Sequence, residues 1–365
     1  TTFRDYFIPA AQLDSLKKVE SYAPPSPHSS QYLHLLIAIE FGKQNVYDTI
    51  NKQKVEQILH LASKQKSQVG LAMAYYILGR EYTIDQDDSL SYNYLAKAEK
   101  IEQSTLIKIK ECLPHIKIIQ WYVDHLLEAD SFFEKLNYID VFCYPNAKDL
   151  QKLSAKYQKT VFSFIPNISD PMFDKQLALE KTTDVIYIAR DYQEDVRTKF
   201  AVLLKDFCDK ENIKLKVYAS LGNPAVFGND FHKAISQAKI AINFNRDDNL
   251  QDVNPDKILG ASDRMAQFLG CGICTFSPRI KGFEKLYQDQ KDIVYFDSPN
   301  DCFEKLKYYL QNGNYELIAS HGQMQTYKIA NAKRVTQFML ELLSENSSFD
   351  CYEWSEYKFK DGRAI

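Results

Sequence analysis

The sequence predicts an α/β protein in which a pair of parallel-sheet domains faces a cleft and an α-helical, repeat-like block precedes them. Three observations lead there. From residue 31 to residue 103 there is almost no Gly or Pro, and apolar side chains recur at helical spacing. After residue 104, short β-branched and aromatic runs alternate with helical patterns, as in β-α-β units. A second and longer series of the same kind begins at Asp184.

Residues 1–30 contain Pro9, Pro24, Pro25 and Pro27. They are expected to be an extended N-terminal segment, because each proline removes a backbone donor and disfavours helix before it. Residues 31–103 hold two helix pairs, YLHLLIAIEFG with VEQILHLASK and GLAMAYYILGREY with SLSYNYLAKAEK. The second pair resembles a tetratricopeptide-type unit, with alanines at crossing positions and a copy offset of about 34 to 37 residues. Two units are few for a free-standing solenoid, so this block is expected to lean on another surface, such as a partner protein. The DQDD run at 85–88 reads as a solvated turn or helix cap rather than a metal site.

Residues 104–175 are expected to form a first, acceptor-side α/β domain, with strands in IKIIQWYVD, DVFCYP and TVFSFIP. Three strands are few for such a domain. Residues 184–345 supply VIYIA, KLKVYA, KIAINFN, ICTF and IVYF as strands with helices between them. Two long helices, NDCFEKLKYYLQN and ELIASHGQMQTYKIANAKRVTQFMLELLSEN, close this domain, and residues 346–365 are read as a C-terminal tail.

The 45 basic and 48 acidic side chains nearly cancel, leaving no whole-chain field to draw in a nucleic acid. No run approaches the roughly 20 apolar residues that span a bilayer, and residues 1–30 lack a signal-peptide layout. A cytoplasmic location is expected, with peripheral association at the inner face of the membrane left open. The opening TTFRDYF lacks methionine, as in a fragment or processed form. Seven scattered cysteines make no disulfide framework, and Cys271-x-x-Cys274, with no second pair and no neighbouring His, fits a buried strand better than a metal or redox site.

The stretch RMAQFLGCGICTFSPRIKGFEKLY carries the functional signal. A helix over residues 263–270 meets the cleft through its N-terminal end, where unpaired N–H groups and the positive dipole end suit an anion, and Arg264 stands there. Gly272 lets the chain leave the helix, and PRIKGFE supplies a second loop with Lys281, Gly282 and Glu284.

R-x-x-x-x-L-x-C-G followed by a short strand and G-x-E, with IVYFDSPNDCFEKLKYYLQN behind it, resembles the C-terminal donor domain of GT-B glycosyltransferases. The nearest subgroup is the spore-maturation-type, group 1 family. QWYVD, FIPNISDPMFD, VIYIARDYQEDVR and KIAINFN extend the resemblance over about residues 105–345. It implies a nucleotide-diphosphate sugar as donor substrate, held mainly by the C-terminal domain with no separate cofactor. No catalytic metal is expected, because the acidic pairs at 247–248 and 87–88 are adjacent residues in polar loops with no His nearby. A glycan, lipid-linked or protein acceptor would lie on the N-terminal side, in assembly of a bacterial surface polysaccharide or glycoconjugate. Arg190, Arg197, Asn243, Arg264 and Lys281 are the donor-side candidates, joined by Gln267, Gly272, Gly282 and Glu284. Arg197 reads equally well as a surface ion pair. On the acceptor side Asp124 or His125, at the end of WYVD, is placed to act as general base, with helix capping as the other reading of Asp124.

One departure matters. Gln267 stands where the related pattern has Glu, and a neutral amide bonds a ribose hydroxyl less strongly than a carboxylate. A catalytically silent GT-B-like protein working through its helical block is therefore the alternative. A nucleotide-sugar epimerase would need a fuller set of acid and base groups.

Overall fold

The computed structural model describes residues 10–22, 25–27, 29–45, 50–84, 88–123, 134–190, 195–245, 248–251, 257–344 and 348–365. They divide into two compact units, Thr1–Ile116 with Leu126–Tyr138, and Lys117–His125 with Ile139–Ile365.

The first unit is helical: α1 Ala10–Tyr22, α2 Ser30–Asn45, α3 Lys52–Lys64, α4 Gln68–Ile84 and α5 Asp88–Cys112. Leu33, Leu36, Ile37, Val55, Ile58, Ala62, Ala74 and Ile77 form its buried centre, so the helical spacing in the sequence is the core face. Asn51 caps α3 by accepting from the Lys54 N–H, and the buried Glu40 carboxylate accepts from the Asn51 N–H at 2.7 Å and from Lys43 at 2.9 Å.

Two expectations are corrected here. Residues 1–30 are not extended throughout, because α1 occupies 10–22. That run has no Gly or Pro, and Leu13 is buried against Leu35 and Ile39. The helical block also continues past residue 103, because nothing between 88 and 112 breaks α5, and the first proline after it is Pro114. Of the DQDD run, residues 85–87 lie outside the described residues and Asp88 opens α5.

The second unit contains two five-stranded sheets. In the first, β1 Ile119–Trp121, β2 Val141–Tyr144 and β3 Val161–Phe164 run parallel, with α6 Leu150–Lys156 leading into β3. The second sheet is wholly parallel, in the order β5-β4-β6-β7-β8. Its elements are β4 Thr183–Ile188, α7 Val196–Lys210, β5 Leu215–Tyr218, α8 Gly228–Ser236, β6 Ala238–Ile242, α9 Asp263–Gly270, β7 Cys274–Pro278 and β8 Val294–Phe296. Both faces are covered: Val185 and Tyr187 of β4 enter one apolar cluster with Phe200 and Leu204 of α7, while Ile186 and Ile188 enter another with Ile235 of α8 and Phe268 of α9.

Three helices follow rather than the expected two: α10 Pro299–Asn312, α11 Tyr315–Ile329 and α12 Ala332–Glu341. Asn331 divides the long closing helix, since its extended backbone and its side chain, which accepts from the Arg334 N–H at 2.9 Å, make it the cap of a new helix.

The C-terminal residues are the largest correction. Residues 346–365 are not a loose tail: β9 Lys358–Lys360 pairs antiparallel with β3, and β10 Arg363–Ala364 pairs with β9, giving the order β1-β2-β3-β9-β10. The missing strands of the first sheet come from here. Asp361 and Gly362 both have positive φ, 50° and 74°, which is the turn chemistry of a two-residue D-G hairpin. Trp354, fully buried, anchors the segment against Phe338 of α12 and Tyr352.

Among the described residues no helix is long and apolar enough to cross a membrane.

Candidate functional site

Strand β6 is apolar from Ile240 to Ile242, and the chain then turns polar. Asn243 and Asn245 follow two residues apart, so they leave the strand on one side, and both are buried. The Asn243 N–H donates to the Phe276 carbonyl of β7 at 2.8 Å, which holds the chain in sheet geometry one step past the strand. Its side-chain Oδ1 accepts from Ser262 Oγ at 2.7 Å and from Arg264 Nη2 at 3.2 Å. The same Nη2 donates to the Phe244 carbonyl at 3.1 Å. Ser262 occupies the N-cap position of α9, but its hydroxyl is spent on Asn243 and not on a helix N–H.

Four buried polar atoms gathered here have no hydrogen-bond partner among the described residues: Asn243 Nδ2, Asn245 Nδ2, Arg264 Nε and Ser277 Oγ on β7. Arg264 also has no ion-pair partner among them, and burial lowers its pKa while Tyr187 and Asp263 oppose that shift. It remains a cation. An unpaired buried polar group costs about 1–3 kcal/mol, so such a concentration at one sheet edge is expensive unless water or a ligand completes it. The edge is the carboxyl end of a parallel sheet, where ligands of open α/β folds bind. Amide donors, a hydroxyl and a guanidinium together suit an anion with several oxygens.

The surroundings hold these groups in place. Asp248 Oδ2 accepts from the Asn245 N–H at 2.6 Å, and Asp248 pairs with Lys257, both side chains being buried. The segment from Lys257 into α9 is fastened to other loops: Leu259 donates to the Lys281 carbonyl at 3.0 Å, Ala147 donates to Ile258 O at 2.9 Å, and Asn167 Nδ2 donates to Ala261 O at 2.9 Å. Ala147 lies beyond β2 and Asn167 beyond β3. Loops of the first sheet therefore touch the approach to α9.

The other residues singled out from the sequence fall in different places. Gln267 is half-buried on α9, three residues beyond Arg264. Arg190 is half-buried just after β4, and the residues that follow it, 191–194, lie outside the described residues. Arg197 is paired, but in the interior and not at the surface: its Nε donates to Asp195 at 2.8 Å and its Nη2 at 2.5 Å, and Asp195 also caps α7. Lys281 and Glu284 are exposed on the loop after β7. Asp124 and His125 lie outside the described residues.

The two glycines answer to packing. Gly272, with φ of 65°, sits at the end of α9 opposite Arg264, and a Cβ there would lie 2.9 Å from Gln323 Nε2. It is thus not brought to the polar cluster; its backbone conformation is what lets the helix turn into β7. Gly282, with φ of 87°, would place a Cβ 2.8 Å from the Tyr357 hydroxyl, so the C-terminal segment fills the space that the sequence reserves for a ligand. Sequence reasoning missed Asn245, Ser262 and Ser277. The N-F-N spacing at the end of an apolar strand could have found the first.

No curated protein matches the sequence. Among solved structures, the pneumococcal O-GlcNAc transferase GtfA in complex with UDP and GlcNAc aligns at 11% identity over 65% of this chain and 55% of its own, with a TM-score of 0.44. The sucrose-phosphate synthase (tll1590) from Thermosynechococcus elongatus aligns at 9% identity over 76% of this chain and 78% of its own, with a TM-score of 0.46. Anabaena Alr3699/HepE in complex with UDP-glucose aligns at 9% identity over 68% and 76%, with a TM-score of 0.47. The chain thus spans little more than half the length of the first of these. Residues 197–341, which run from α7 to the end of α12 and include Asn243, Asn245, Arg264 and Ser277, match the family model described as glycosyl transferase-like.

Proposed function

We propose that this protein transfers a sugar from a nucleotide-diphosphate sugar to a glycan, lipid-linked or protein acceptor, in the assembly of a bacterial surface polysaccharide or glycoconjugate. The observation that carries the proposal is the set of unpartnered buried polar atoms on Asn243, Asn245, Arg264 and Ser277. The glycosyl transferase-like match over residues 197–341 covers the same groups.

In this proposal the diphosphate lies against Arg264 and the two asparagine amides. As the sugar–oxygen bond breaks, negative charge grows on the departing phosphate, and fixed donors in a dehydrated site stabilise that charge without having to reorganise. Positive charge for the leaving group comes from Arg264, with Arg190 and Lys281 as further candidates, so the transfer is proposed to be metal-independent. Arg197 is not proposed to meet the diphosphate, because Asp195 holds and neutralises its guanidinium. Gln267 and Glu284 are proposed for the ribose and sugar hydroxyls. Asp124 or His125 remains the proposed general base on the acceptor. The enzyme is proposed to act in the cytoplasm or at the inner face of the membrane, with the helical unit docking a protein partner.

The competing proposal, a silent binding protein working through its tetratricopeptide-like block, draws on Gln267. Titration calorimetry with UDP-, GDP-, dTDP- and CMP-sugars, paired with a product assay, separates the two. A donor should bind, and Arg264→Ala should weaken it roughly ten- to a hundredfold, the worth of one charge-assisted bond. Gln267→Glu should preserve or strengthen binding if the side chain meets the ribose, and weaken it if the phosphates are nearer. Unchanged affinity in both variants would remove the donor site from α9, and binding without turnover would favour the silent protein.

A further inference from the structure

Three side chains distant in sequence meet at the other end of α9. Asp174 comes from the turn before β4, His232 from α8, and Cys271 is the first residue after α9. A carboxylate oxygen, a ring nitrogen and the sulfur all lie within 4.8 Å of one another, with Sγ 3.4 Å from Nδ1 of His232. Asp174 and Cys271 are buried, and His232 is half-buried. The C-x-x-C spacing has no part in this. Cys271 packs with Ile186, Phe268 and Ile273, whereas Cys274 packs on the opposite face of the sheet with Ile240 and Phe276.

We propose that Asp174, His232 and Cys271 form a binding site for a divalent transition-metal ion of the zinc type, separate from the sugar-donor cluster.

The distances fit. Sulfur at about 2.3 Å and nitrogen at about 2.0–2.1 Å from a tetrahedral zinc ion lie about 3.5 Å apart, close to the observed separation. The donor set fits as well, because thiolate, imidazole and carboxylate are the ligand types zinc takes. Charge balances: a thiolate and a carboxylate beside a neutral imidazole offset a divalent cation, so the loaded site buries no net charge. Cys271 caps α9, and the negative end of a helix favours a cation, as its opposite end favours an anion.

The backbone is already fixed around these ligands. The Tyr327 hydroxyl lies 2.6 Å from the Asp174 carbonyl and 2.7 Å from that of Gly270, clamping the two approaching segments, and Gln323 Nε2 donates to Gly270 O at 2.8 Å. Asp174 Oδ2 accepts from the Asp170 N–H at 3.1 Å, which orients the carboxylate. Gly270 makes the approach feasible, since a Cβ there would fall 1.8 Å from Ser169 Oγ and 3.1 Å from Asp174 Cβ. Three protein ligands would leave one tetrahedral position for water, and His232, half-buried, is the ligand nearest solvent. Binding releases the thiol proton and ties the turn at Asp174, α8 and α9 together, so the ion should stabilise the fold.

Cobalt(II) titration of the intact protein is the test. The expected result is one equivalent bound with a sulfur-to-cobalt charge-transfer band, displaced by zinc, and a melting temperature that rises with zinc. Cys271→Ser should abolish the band, His232→Ala should weaken cobalt binding by roughly tenfold or more, and a Cys112→Ser/Cys351→Ser double variant, lacking the two exposed thiols, should keep the band. A wild-type protein with no band overturns the site, as does a band that survives Cys271→Ser. Should Cys271→Ser fail to fold by circular dichroism, His232→Ala decides, and unchanged cobalt affinity in that variant rejects the proposal.

Discussion

The two sheets of the second unit have five strands each but are assembled by different routes. Strands β4 to β8 come from one continuous stretch, Thr183 to Phe296, with helices on both faces. Strands β1 to β3 come from residues 119–164 and are completed by a hairpin from residues 358–364. The continuous sheet can form its pairings with short loop closures, while the split sheet must bring together residues almost 200 positions apart. Its stability therefore rests on whatever anchors the returning segment, and Trp354, Tyr352 and Phe338 are that anchor.

The largest effect expected from this contrast is on deletion of residues 348–365. Hydrogen exchange should show β1 to β3 losing protection while β4 to β8 keep theirs. Equal loss in both sheets would mean that they form one cooperative unit. Trp354→Ala should cost about 3–5 kcal/mol in urea unfolding, the range for truncating a fully buried aromatic. A cost below about 1 kcal/mol would show that the anchor lies elsewhere. Gly362→Val should cost about 2 kcal/mol, because it puts a β-branched residue at φ of 74° in the hairpin turn.

The smallest effect belongs to the continuous sheet. At the start of β4, Asp184 accepts from Lys239 at 2.7 Å and from the Lys214 N–H at 2.9 Å. Burial alone would raise its pKa, but these hydrogen bonds and the lysine charges outweigh it and hold the carboxyl below the usual range. A depressed carboxylate pKa adds stability above the unfolded-state value, and the gain is lost as pH falls through the folded-state value. Asp184→Asn should therefore cost about 1 kcal/mol at neutral pH. The gap from wild type should close as pH drops below about 4. A gap that stays constant with pH would mean that the ionised form of Asp184 contributes nothing.

The same contrast explains what could be read from the sequence. All five strands of the continuous sheet were legible, because each is a short run carrying β-branched or aromatic residues. The helix bearing Arg264 was legible for a related reason, since a strand, a loop and an amphipathic helix lie together in the chain. The completion of the first sheet is not legible in this way. Its local sign, K-F-K-D-G-R-A, is a hairpin pattern that shows its importance only once β3 is seen to lack a neighbour. Asp174, His232 and Cys271 left no local sign at all, because their spacings of 58 and 39 residues have no period, and only the tertiary fold joins them.

The late pairing of β3 also has a consequence for biosynthesis. A ribosome adding 5–20 residues per second needs about 10–40 s to travel from β3 to β9. During that interval β3 is an open sheet edge, able to pair with a neighbouring nascent chain. Slowing translation between codons 164 and 358 should therefore lower soluble yield, and the same slowing upstream of codon 119 should not.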